Sequence, residues 1–329
     1  MSEHKIKWTR WLLGTVKLSV FALLSWFIYR ALVSANEQLN GHQWHVEPGW
    51  LAVAGLLYLV GLFPAALFWH RVLLQTGQEA GLGESLRAYY ISQLGKYVPG
   101  KWMVILLRRG LLTGGKVETT VVAASVFFET FVMLAIGASI ATLALLVWHP
   151  GQIWLIAIAA GSALLLGIPT IPRLFEFLLR MVGVGRLNPT AGARFRRIGR
   201  GMLAAGWIAI GAGWLLQGMS LWATLRAMGA ATGGPLYDLS LHTSTVALSV
   251  VAGFLSQIPG GLAVREWVSA ELIEPTYGAS VAIVSAIIYR LVQVVSELAV
   301  SIILYVAGWR RTPRAAKVAE AELSASSGR

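Results

Sequence analysis

The sequence predicts an all-α polytopic membrane protein built from two inverted repeats of three spans, each repeat carrying a re-entrant helical hairpin broken at Pro-Gly. Three observations predict it. Of the 329 residues 56% are apolar and only 13% charged, where a soluble domain carries roughly a quarter charged residues, and the mean hydropathy is +0.66. Apolar runs of ~20 residues, enough to cross a hydrocarbon core of ~30 Å, recur along the chain. Two further apolar stretches are interrupted, one at Pro99-Gly100 and one at Pro259-Gly260-Gly261, where no continuous helical ladder can form.

In chain order the expected spans are 11–33, 50–69, 119–147, 152–171, 203–226 and 279–307. The first is too long for a removable signal peptide and lacks a small-residue cleavage site, so it is read as a retained anchor. Lys5, Lys7 and Arg10 precede it. Arg71, Arg87, Lys96, Lys101, Arg108, Arg109 and Lys116 lie between the second and third spans, and 172–202 is rich in arginine. The linkers 34–49 and 148–151 contain neither Lys nor Arg, while the tail carries Arg310, Arg311, Arg314 and Lys317. Basic loops stay in the cytoplasm, so every basic block belongs on one side. A full crossing at 240–258 would put the basic tail outside. If 240–258 and 260–273 instead form a half-depth hairpin from the outer side, the tail returns inside. By the same logic 84–98 and 101–113 form a hairpin from the cytoplasm.

The order span, span, hairpin, span therefore occurs twice. Sliding the chain so that Pro99 falls on Pro259 also puts Val104 on Val264, Val121 on Val281, Ser125 on Ser285 and Val132 on Val292. Three spans per half require the second copy to be inverted, an architecture found in transporters. The competing reading is a pair of ordinary helices kinked by Pro-Gly. Residues 1–309 then form one transmembrane domain with repeats at about 10–147 and 152–307, and 310–329 form a basic, then disordered, tail. Both termini are expected in the cytoplasm, with the domain integral to the cytoplasmic (inner) membrane.

Ionisable groups at membrane depth are costly and face a cavity or one another. They cluster at the breaks: Lys96, Lys101, Arg108 and Arg109 at the first, Arg265 and Glu266 at the second, with Glu129, Arg290, Gln293 and Glu297 on the third and last spans. A broken helix leaves unpaired N–H groups at the start of its second half, an anion site. Cations there are locally unfavourable unless an anion lies between. This pattern predicts a bound lipid phosphate held by Lys96, Lys101, Arg108, Arg109, Arg265 and Arg290, with Pro99, Gly100, Pro259, Gly260 and Gly261 as the hinge positions. The competing reading for Lys96, Arg108, Arg109 and Lys116 is a cytoplasmic collar on anionic lipid. Glu129, Glu266 and Glu297 are either proton carriers or static partners of the arginines. Glu129 has no basic residue within a turn of its own helix.

Other chemistries find no support. With no cysteine there is no disulfide, Fe–S cluster, thiolate zinc site or cysteine nucleophile. The run from Gly110 to Lys116 mimics a phosphate loop, but Val117 replaces the hydroxyl residue that reaches magnesium. His42, His45 and Glu47 read as a solvated linker, so no metal or cofactor is expected. The Arg-rich run 194–200 lies between spans and reads as a membrane-surface segment, not a nucleic-acid site. The net charge of +12 fits partners that are membrane lipids with anionic head groups.

The run Gln93-Leu-Gly-Lys96-Tyr97-Val-Pro99-Gly100-Lys101, followed by Arg108 and Arg109, resembles the first signature of the lysylphosphatidylglycerol synthase transmembrane family, also called flippase-like domain proteins. The run Gln257-Ile-Pro259-Gly260-Gly261-Leu-Ala-Val-Arg265-Glu266 resembles its second. The likeness covers roughly residues 10–310. It implies an integral membrane domain that moves phospholipid or isoprenoid-linked lipid between leaflets. The family's best-known member adds a soluble aminoacyl transferase. Only a short tail follows residue 309 here, so a stand-alone membrane domain that does not itself aminoacylate lipid is expected. The expected function is a lipid flippase moving a phosphate-bearing lipid, a phospholipid or a polyprenyl phosphate, by alternating access, rather than an enzyme. Two alternatives stay open: a membrane-embedded enzyme acting on a lipid-linked substrate, and an assembly partner of lipid-modifying enzymes.

Overall fold

The computed structural model describes residues 46–98, 102–112, 117–148, 150–184, 188, 190–231 and 235–326. The expected first span 11–33 and the positions Pro99, Gly100 and Lys101 lie outside these described residues. Every regular element among the described residues is helical. In order they are α1 (Pro48–Gln75), α2 (Leu82–Ser92), α3 (Trp102–Leu111), α4 (Thr119–Trp148), α5 (Ile153–Gly167), α6 (Pro172–Met181), α7 (Ala191–Phe195), α8 (Arg200–Ala227), α9 (Pro235–Leu255), α10 (Val264–Tyr277) and α11 (Ala279–Ser326). Short 3-10 turns occupy Gln93–Tyr97, Ile168–Thr170 and Pro259–Gly261.

Among the described residues six helices are long and apolar enough to cross a membrane: Pro48–Gln75, Thr119–Val147, Ile153–Thr170, Arg200–Ala227, Asp238–Leu255 and Ala279–Gly308. Five match expected spans. The sixth is the arm 240–258 that the charge pattern placed at half depth, and as the 21-residue helix α9 it rises about 31 Å at 1.5 Å per residue. The helix starts at Pro235, ahead of the expected start at 240. A second difference lies at the end of the chain. α11 continues to Ser326, into the segment 310–329 expected to form a basic, then disordered, tail.

The exterior is apolar, as lipid requires: Leu143, Val147, Ile153, Leu164, Ile208 and Ile303 are all exposed. With lipid outside, helices associate through close packing of small residues. α1 and α8 meet at Gly61 and Gly213, where a Cβ on Gly61 would lie 2.9 Å from the Gly213 carbonyl oxygen. Ser220 Oγ donates to the Ala54 carbonyl at 2.6 Å across the same seam. α2 packs on α3 across the first break and α9 on α10 across the second. Each helix pair also contacts the last span of the other half, α2 on α11 and α9 on α4.

The basic segments gather at one end. Glu118, just before α4, bonds Arg194 and Asn188 of the connector, each at 2.6 Å, and the Arg87 guanidinium lies against Gly308. Within the connector, Glu176 accepts from Arg196 and from Arg180. The Arg196 guanidinium, with Arg180 beside it, holds the Glu176 carboxyl below the usual carboxylate range. At the opposite end Glu47 N–H donates to the Ala227 carbonyl at 2.9 Å.

Candidate functional site

The 3-10 turns that follow α2 and α9 touch. After α2 the chain tightens into the 3-10 turn Gln93–Tyr97, whose Tyr97 is buried. After α9 it passes through left-handed conformations at Gln257, Gly260, Gly261 and Ala263, with φ of +56°, +62°, +67° and +64°. Glycine takes these values freely. Gly260 has a further reason to lack a side chain, because a Cβ there would lie 2.9 Å from the Tyr97 ring and 3.0 Å from the Arg290 guanidinium.

Between the turns lies a cavity of about 170 Å3. Lys96 and Val98 line it from the first break, Gln257 to Gly261 from the second, and Tyr58, Arg108, Glu129, Gln217, Arg265 and Gln293 from the surrounding helices. It has the scale of a polar head group rather than of acyl chains.

Three ion pairs surround it. Glu297 of α11 is fully buried and accepts from three donors: Lys96 Nζ, Tyr58 Oη and, at 3.1 Å, Tyr97 Oη. This pair ties the first break to the last span of the other half. Arg108 of α3 is 3% exposed and meets Glu129 of α4 at 3.1 Å. Its Nε donates to Ser92 Oγ at 3.1 Å, and its plane lies 4.5 Å from the Trp69 ring centre and 4.3 Å from that of Tyr89. Tyr89 Oη donates to the other oxygen of Glu129 at 3.0 Å. Arg290 of α11 approaches Glu266 at 3.3 Å, donates to the Gly260 carbonyl at 2.6 Å and to Gln293 Oε1 at 3.1 Å, and so pins the second turn.

Arg265 differs from all of these. It sits in the first turn of α10, packed against Gly253 and Gly261, and lines the cavity. Its Nε is buried and finds no hydrogen-bond partner among the described residues. A buried donor left unpaired is costly unless something supplies an acceptor. The start of α10 also directs its free N–H groups to the same region.

Of the residues expected at the site, Lys96, Arg108, Arg265, Glu129, Pro259, Gly260 and Gly261 line the cavity, while Arg290, Glu266 and Glu297 stand behind it. Arg109 does not reach it; its guanidinium bonds the Leu112 carbonyl at 3.3 Å. Glu129, left without a partner by its own helix, receives one from α3. A local spacing rule cannot see a neighbour brought in by folding. Sequence reasoning also missed Tyr58 on Glu297 and the Trp69 and Tyr89 rings around Arg108. It missed a buried polar row on α9 as well, although Asp238, His242 and Thr245 carry a helical spacing that reveals it.

A sequence model of the family described as the lysylphosphatidylglycerol synthase TM region matches residues 14–301. No curated protein matches the chain. The matched stretch takes in both turns, all three ion pairs and the cavity they enclose, and the chain belongs to the lysylphosphatidylglycerol synthase transmembrane-region family.

Proposed function

We propose that this integral membrane protein is a flippase that moves a phosphate-bearing lipid, a phospholipid or a polyprenyl phosphate, between leaflets. The head-group phosphate sits in the cavity between the two breaks, accepted by Arg265 and the first N–H groups of α10, with Lys96 at its edge and Lys101 contributed from outside the described residues. The tails stay in the bilayer. The observation that carries this reading is Arg265, a buried guanidinium donor facing a head-group-sized cavity without an acceptor.

The two helix pairs act as re-entrant hairpins of inverted repeats. The reciprocal packing supports this, each pair leaning on the last span of the other half, as does the contact between the two turns. Rocking one half against the other switches exposure of the site, with Lys96–Glu297 as the bond between halves that opens. The gathering of basic segments at one end supports a cytoplasmic face there, in the inner membrane.

The test is a leaflet-resolved assay in proteoliposomes with labelled phosphatidylglycerol or polyprenyl phosphate. Wild type should move at least one of these faster than empty liposomes, and Arg265→Ala should lose the movement while remaining folded. Equal movement by both proteins removes Arg265 from the site. Turnover of a lipid in detergent, where no second leaflet exists, replaces transport with an enzyme reading.

A further inference from the structure

The cavity is not the whole of the buried polar machinery. On α9, Asp238, His242, Thr245 and Ser249 fall at spacings of four, three and four, and so share one helical face. The next position of that face, Gly253, lines the cavity. All four side chains are buried, Asp238 at 3% exposure, His242 and Thr245 at 0% and Ser249 at 4%.

Three polar atoms of this row, Asp238 Oδ1, His242 Nδ1 and Thr245 Oγ1, are buried without a hydrogen-bond partner among the described residues. Buried polar atoms in native proteins are nearly always satisfied, and several orphans in one line call for water or a mobile proton. Ionisable groups inside a span mark functional pathways for the same reason of cost. His242 is held in place from one side only: Nε2 lies 2.9 Å from Tyr277 Oη and the two rings stack with centres 5.8 Å apart. Its Nδ1 is left for the row.

We propose that this row is a proton path from the end of the molecule opposite the basic segments to the head-group cavity. Asp238 takes a proton at Oδ1 and passes it through water to His242 Nδ1. The imidazolium then releases it through water along Thr245 and Ser249 toward Gly253. The groups facing the row fit this use. Arg226 at the end of α8 is exposed and acts electrostatically on Asp238, and Tyr277 of α10 orients the imidazole. Glu271 and Glu274 of α10 are exposed. Residues 133–148 of α4 and 279–288 of α11 contain no titratable side chain, so no counterion there fixes the charge of Asp238 or His242. The role of this path as the energy coupling of lipid movement rests on the transport reading above; its existence does not.

The test uses proteoliposomes of the full chain with a trapped pH-sensitive dye, a pH step across the membrane and the leaflet assay run in parallel. Wild type should acidify the lumen faster than empty liposomes, Asp238→Asn and His242→Gln should fall to the empty-liposome rate, and Thr245→Val should slow it. Wild type no faster than empty liposomes, or variants equal to wild type, overturns the path. If the Asp238 and His242 variants fail to fold, Thr245→Val decides, and an undiminished rate overturns the proposal. Proton movement without lipid movement supports the path and sinks transport. Lipid movement without a proton signal leaves transport standing and removes the path.

Discussion

Arg108 and Arg265 line the same cavity, each on the helix that follows a break, yet their surroundings are opposite. Arg108 has a carboxylate, a hydroxyl and two aromatic faces. Arg265 has two glycines pressed against its stem and a buried Nε without an acceptor. A buried charge is tolerated when paired and costly when not. The first arginine is therefore spent on holding α2, α3 and α4 together, whereas the second has donor capacity to give to something that is not part of the chain. Position at a cavity wall does not make a ligand residue; an unmet donor does.

Breaking Arg108 should have the largest effect on stability. Arg108→Ala strands Glu129 and should cost about 3–5 kcal/mol, the usual penalty for removing one partner of a buried pair, read as a fall in unfolding midpoint in detergent. Arg108→Met with Glu129→Gln should recover part of that loss, since no charge is left unpaired. Recovery of nothing would show that the aromatic sandwich, not the pair, carries the energy.

Gly260→Ala should come next. The left-handed backbone alone costs a residue with a side chain about 1–2 kcal/mol, and the new methyl meets Tyr97 and Arg290 as well. Both unfolding midpoint and lipid movement should drop. Arg265→Ala, in contrast, should change the midpoint little or raise it, because a poorly satisfied charge leaves the interior, while lipid movement is lost. A fall as large as that of Arg108→Ala would erase the contrast between the two arginines.

The smallest effect belongs to Glu176, at the connector. Its carboxyl is held below the ordinary range in the folded protein, so its contribution to stability is present above the unfolded value of about 4.3 and is lost as pH falls through the folded one. Wild type should therefore lose its advantage over Glu176→Gln on acidification from neutral pH to below 4, measured as the gap between their unfolding midpoints. Arg180 and Arg196 are largely exposed, and such pairs are weak.

Much of the fold was legible because apolar length is a local property. Five expected spans appear as helices, and Pro259-Gly260-Gly261 marks a turn where it should. α9 starts at Pro235 and is long enough to cross a membrane, a length that charge parity does not measure. At the site, residue types were legible but pairings were not. Lys96 and Glu297 are far apart in sequence and meet only after α2 packs on α11. Glu129 finds Arg108 through the α3–α4 contact, and the rings of Trp69 and Tyr89 close around Arg108 from two other helices. The Asp238, His242 and Thr245 row was legible in principle, since polar residues at four and three spacing on an apolar helix share a face.

The most direct test of the central claim is binding itself. A short-chain phosphatidylglycerol, added above its dissociation constant to detergent-purified protein, should raise the unfolding midpoint of wild type by binding the folded state alone. The account predicts the same shift in Thr245→Val and none in Arg265→Ala. A full shift in Arg265→Ala would contradict it, because the phosphate would then be held without the cavity-lining guanidinium whose buried Nε has no acceptor among the described residues.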